Sequence, residues 1–207
     1  MTAEDIEALF TSQSGSFTFA RWGRPIAPVV FGVNAETLSV IKGALEAVMV
    51  LSGHQMAETD PELGSNMMLF FFKDWDELTD VPDLDRLIPD LGPLVARLER
   101  EGANQYRIFR FDNAGAIQAC FVFLRMEGQL SEIPAETLAL GQIVQSVLLW
   151  SDRAFATKSP LAIANQRTIL RPEIAGLIRV AYDPVLPAVS KDPSHALRLM
   201  ARMGRGQ

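Results

Sequence analysis

An α+β fold is what the sequence predicts: a small, mostly antiparallel twisted sheet packed with helices, followed by a helical last third. Three observations predict it. Helical and strand periodicities alternate through the first 130 residues, one clear hairpin has apolar residues on both faces, and the long apolar patterns beyond it have helical spacing. At 207 residues, with no Gly/Ser linker and no internal repeat, the chain reads as a single domain. It divides into an N-terminal arm (1–16), a sheet-containing part (17–130) and a helical part (131–207).

The arm opens with a short helical pattern, Ile6, Leu9 and Phe10, and runs into the polar breaker of residues 12–16, so it is expected to stand outside the core. Residues 17–22 alternate apolar and polar. Residues 29–33 form a strand, which Pro28 disfavours from a central position. Asn34 stands where an N-cap belongs, Glu36 follows in the first turn, and Leu38, Ile41, Leu45, Val48 and Met49 recur at helical spacing until Gly53. Residues 66–73 are a short apolar, aromatic run bounded by Gly64 and Asp74, which points to an interior strand.

Seven acids crowd residues 74–90, but no central glycine or closing glutamate stands at calcium-loop spacing, so solvated helix starts are expected. A helix over residues 91–101 breaks at Gly102. Residues 106–111 and 116–125 then make the hairpin, joined by Asp112-Asn113-Ala114-Gly115. Its second arm is apolar on both faces and should be covered on both sides, with Cys120 packed inside as a small hydrophobe.

A formal charge of −6 and a pI near 5.0 argue against a nucleic-acid partner, whose phosphates need clustered Lys and Arg. The single cysteine excludes an internal disulfide, and two histidines, His54 and His195, make the chain poor in zinc ligands. The first residues are acidic where a signal peptide is basic, and no apolar run reaches the ~20 residues of a membrane span. A cytoplasmic protein without a cofactor is therefore expected. The stretch 191–205 is locally basic (Lys191, Arg198, Arg202, Arg205) and reads as a terminal helix docked by its apolar side.

The stretch around which the chain is organised is 135–152, a long apolar helix, followed by a loop and a second amphipathic helix that ends at Tyr182-Asp183-Pro184. Residues 141–149 resemble, in register, the metal-binding helix of zincin-type metallopeptidases, in which two histidines lie one turn apart with a glutamate between them. Gly141 stands at the first histidine, Gln142 at the glutamate and Gln145 at the second histidine. Leu148 replaces the glycine that ends the family's helix. Ser159-Pro160-Leu161 stands about where the methionine turn would be, and residues 170–178 resemble the following helix. The likeness covers residues 135–187 and looks closest to a bacterial group of unknown function with a degenerate motif. It implies a zincin-like scaffold that is not a zinc peptidase, because a neutral amide neither takes a proton from water nor ligates zinc well.

Three functional expectations follow. The first is a non-catalytic domain that binds a peptide or protein along a sheet edge, with Gln142, Gln145, Trp150 and Tyr182 lining the groove. The second is an enzyme of another class, with an anion site at Arg21 and Arg24 and carboxylates from residues 74–90 as acid/base partners. The third is an assembly subunit exposing Phe10, Leu199, Met200 and Met203. Beside the first stands a plainer reading, in which helix 135–152 is packing and its glutamines are surface polar residues.

Overall fold

A computed structural model describes residues 1–204 of the chain. The elements run α1 (Ala3–Phe10), β1 (Phe19–Ala20), β2 (Pro28–Phe31), α2 (Ala35–Ser52), β3 (Met67–Phe72), a 3-10 helix (Trp75–Asp80), α3 (Leu84–Leu87) and α4 (Leu91–Arg100). They continue with β4 (Gln105–Phe111), β5 (Ile117–Arg125), α5 (Ala135–Ser146), β6 (Leu161–Ala164), β7 (Arg167–Leu170), α6 (Pro172–Ala181), β8 (Val189–Ser190) and α7 (His195–Met203).

The fold is α+β, as predicted. Four strands form the main sheet in the order β2-β3-β5-β4, with β2/β3 and β3/β5 parallel and β4/β5 antiparallel. The two short ladders, β1 with β8 and β6 with β7, are antiparallel, so antiparallel pairings outnumber parallel ones among the described residues. Parallel neighbours need a crossover, and α2 supplies the first. The side-chain oxygen of Asn34 accepts the Thr37 N–H at 2.8 Å to start α2, and Gly53, at φ 69°, ends it in the left-handed conformation that glycine adopts without strain.

The sheet is covered on both faces. Met67 and Leu69 of β3 and Cys120, Val122 and Leu124 of β5 face α2, α5 and α6. Met68, Phe70 and Phe72 with Ala119, Phe121 and Phe123 face Trp75, α3 and α4. This two-sided burial is what the hairpin's second arm required. Pro28 stands on edge strand β2, where its missing N–H costs the ladder nothing.

The predicted arm belongs to the core. Thr2 and Asp5 form a reciprocal capping box, and α1 buries Ile6 and Phe10 almost completely. Phe10 stacks on Trp150 at 5.3 Å and meets Phe19 edge-on at 5.2 Å, so the polar breaker of residues 12–16 merely turns the chain back onto its own helix.

The helical last third also contains strands. Asn165 and Gln166, at φ 48° and 62°, make a two-residue turn between β6 and β7. Both positions need positive φ, which Asn-Gly would announce and Asn-Gln conceals. Helix α7 docks through His195, Ala196 and Leu199 and is tied down by an Arg202–Asp183 ion pair. Arg205 of the basic stretch lies outside the described residues. Among those described, no helix is long and apolar enough to cross a membrane.

Candidate functional site

Helix α5 ends at Ser146, six residues before the predicted end at 152, although Val147, Leu148 and Leu149 carry no helix breaker. The chain leaves the helix to pair with the segment after β1: Leu149 donates to the Ala20 carbonyl at 2.9 Å, and Leu148 bridges Arg21. Three of the carbonyls at the end of the helix find an aromatic donor. Trp150 Nε1 donates to Val144 at 2.8 Å, Trp22 Nε1 to Ser146 at 2.9 Å and the Tyr182 hydroxyl to Val147 at 2.6 Å.

That corrects half of the expected groove. Trp150 and Tyr182 close the C-terminal end of α5 rather than line an opening, and Tyr182, which burial pushes well above the usual phenol pKa, stays a neutral donor. Gln142 and Gln145 do stand together, but the buried one, Gln142, is turned toward strand β4. Its Nε2 donates to Gln105 Oε1 at 3.0 Å, and its Oε1 accepts from Arg107 Nη2 at 2.5 Å. Because a guanidinium only donates, Arg107 fixes which amide atom of Gln142 faces it.

Arg107 is the residue that sequence reasoning missed. Its Nε donates to Ser146 Oγ at 3.0 Å and its Nη1 to Gln145 Oε1 at 3.5 Å, so one side chain reaches three residues of α5. The Ser146 hydroxyl in turn donates to the Gln142 backbone carbonyl at 2.7 Å. Burial pushes the guanidinium pKa down, with the neighbouring Cys120 working the other way. The Cys120 thiol, fully enclosed, is pushed up to about 11 by burial, against the pull of Arg107 and Ser146, and therefore stays protonated. The signal for Arg107 was an arginine placed on the same side of an alternating strand as Phe109.

The backbone beside this cluster has an open side. The Arg125 N–H donates to the Asn104 carbonyl at 2.8 Å, and in the β4/β5 register Tyr106 lies opposite Phe123 and Ile108 opposite Phe121. Hydrogen-bonded pairs alternate in an antiparallel ladder, so Asn104, Tyr106 and Ile108 turn their backbone groups to β5, while Gln105, Arg107 and Phe109 turn theirs outward. No other strand pairs with β4 among the described residues.

The expected anion site does not assemble. Arg24 lies 3.4 Å from Asp60 Oδ2 and 3.2 Å from Glu62 Oε2, so its charge is already met. Burial works to raise the Asp60 pKa, but the N–H groups of Leu63 and Glu62, the Asn66 amide and Arg24 together hold it below the usual carboxylate value. Arg21 lies over the Tyr182 ring at 5.5 Å, and its terminal nitrogens are 3.5 Å from the Trp22 and Leu186 carbonyls. The acids of residues 74–90 are exposed and pair with neither arginine.

The assembly patch dissolves in the same way. Phe10 and Leu199 are buried, and Met203 packs against α6 at Gly176; of the four, Met200 alone is exposed.

Two neutral amides, a serine hydroxyl and a fixed cation make the β4/α5 cluster a hydrogen-bonding site. A cation at that place repels a zinc ion, and among the described residues no group of three or more His, Cys, Asp or Glu could hold a metal. Comparison of the chain with protein-family models, with curated proteins and with solved structures returns no match in any of the three.

Proposed function

We propose that this chain is a non-catalytic, zincin-like domain that binds a peptide or protein segment as an added strand along the free edge of β4. The observation that carries the reading is the outward backbone of Gln105, Arg107 and Phe109, with Gln142 and Gln145 beside it. Main-chain pairing at an exposed edge is a general way of holding an extended segment. Each such bond contributes about 0.5–1.5 kcal/mol net, so pairing along three residues gives weak, sequence-tolerant binding that side chains must sharpen. The order of elements supports the kinship: strand, helix, strand, helix and hairpin precede a helix whose degenerate motif positions, 142 and 145, lie alongside a sheet edge.

Peptides selected from a random display library test this. On binding, amide exchange is expected to slow at Gln105, Arg107 and Phe109 and to stay unchanged at Tyr106 and Ile108. Gln105→Pro, at the first residue of an edge strand, removes one outward donor without touching the β5 ladder and should weaken binding severalfold. Protection on another face, or unchanged binding by Gln105→Pro, would defeat the reading. No geometry favours the enzyme alternative at Arg21 and Arg24, since Asp60 and Glu62 neutralise Arg24.

A further inference from the structure

We infer that the segment held at β4 carries a carboxylate and that this group pairs with Arg107. The inference rests on the strand-addition reading above and adds the chemical class of the ligand.

Three facts about Arg107 point there. First, every acceptor it reaches, Ser146 Oγ, Gln145 Oε1 and Gln142 Oε1, is neutral, and it takes part in no ion pair among the described residues. Second, a guanidinium has five N–H donors in a planar fork, and three hydrogen bonds leave two of them for an incoming carboxylate. Third, the side chain is partly buried, where an ionic hydrogen bond is stronger than at an exposed surface and where an unmatched charge is costly.

Strand geometry brings the two groups together. A residue directly opposite Arg107 in an added strand shares its face of the sheet, with Cβ atoms about 5 Å apart, within reach of an aspartate, a glutamate or a chain-terminal carboxylate. The flanking residues on that face, Gln105 and Phe109, are uncharged, so nothing in the strand competes for the guanidinium. The chain's net charge of −6 slows the approach of an acidic segment. The gain therefore belongs in a slower dissociation rate.

The carboxylate has two possible sources, a side chain within the strand or the end of a chain, and three peptides separate them. All are fluorescein-labelled extended heptapeptides of alternating threonine and valine. One has a central glutamate and an amidated C-terminus, one a central glutamine and an amidated C-terminus, and one a central glutamine and a free C-terminal carboxylate. Fluorescence anisotropy is expected to show one of the two acidic peptides binding at least about tenfold more tightly than the neutral one, and which of them does so names the source. Arg107→Gln should erase that advantage, so that the acidic and neutral peptides bind this variant with equal affinity.

Because Arg107→Gln also changes contacts within the fold, Gln145→Glu provides a second arm. It keeps the arginine but supplies an internal carboxylate, and should erase the advantage equally. Equal affinity for the three peptides, or an advantage that survives in both variants, overturns the inference and leaves strand addition standing. Failure of all three to bind removes strand addition, and this inference with it.

Discussion

Arg24, just before β2, and Arg107, in β4, are both partly buried cations that tie one piece of the chain to another, and their surroundings answer them in opposite ways. Arg24 meets Asp60 and Glu62, and Asp60 in turn accepts from the N–H groups of Glu62 and Leu63 and from the Asn66 amide. Asn66, fully buried, passes the connection on to the Ala27 N–H and the Pro25 carbonyl. Arg107 meets a serine and two glutamines. The first network is closed: its one cation faces two carboxylates. The second joins its cation only to neutral groups and leaves it without a counter-charge, and that difference separates a closed structural node from an unmatched charge.

The comparison breaks most visibly at Asp60. Asp60→Ala leaves the Glu62 and Leu63 N–H groups and one Asn66 N–H without their acceptor and takes from Arg24 the buried one of its two carboxylates, and should destabilise the protein by about 3 kcal/mol in urea unfolding. The same residue gives the closed network a pH dependence that the open one lacks. The folded-state pKa of Asp60 lies below its ordinary value of 3.8, so its contribution is complete above that pH and is lost as the pH falls through the folded value. Unfolding curves across the acid range should show this step in the unmodified protein and in Arg107→Met, and lack it in Asp60→Ala.

An earlier acid effect belongs to His54 and His195. Burial lowers both pKa values from 6.5, helped by the charges of Arg21 and Arg198 respectively and opposed by the Arg24 carbonyl and by Asp192. Both ring nitrogens of His195 are buried without a partner, and the ring lies 4.4 Å from Phe19. A base with a depressed folded pKa is bound to fewer protons in the folded state, so stability is full above about pH 6.5 and declines as pH falls below it. His195→Leu should flatten that decline.

Gln145→Glu turns the open network into a copy of the closed one, and should raise stability by about 1 kcal/mol above the pH at which the new carboxylate ionises. Arg107→Met, which removes an uncompensated cation and leaves Gln142 and Ser146 their other partners, should shift stability by about 0.5 kcal/mol or less in either direction. A large loss there would make Arg107 a fastening of the fold rather than a reserve of charge.

Where local chemistry decides an element, the sequence was legible. Helix α2 has its cap at Asn34, its stop at Gly53 and an uninterrupted apolar period between them, and the β4/β5 hairpin has its turn and its alternation. Where distant residues decide, it was not. Nothing near Ser146 announces the end of α5; the carbonyl, N–H and hydroxyl groups that stop it belong to Ala20, Arg21, Trp22 and Tyr182. For the same reason Trp150 and Tyr182 looked like groove walls, since an aromatic that caps a helix and one that lines a cleft are spelled alike. The parallel pairing of β3 with β2 and β5 is likewise a matter of which helices cover which face. The glutamines were found through their spacing, and Arg107, which gives them their meaning, sits some thirty-five positions earlier.

Cys120 offers a clock. The chain's one thiol projects from β5 into the core beneath α2, α5 and α6 and is held protonated, so an alkylating reagent reaches it only when that cover opens. Its labelling rate therefore times the opening of that side of the core, and a ligand bound along β4 beside α5 would slow that timer without ever touching the sulfur.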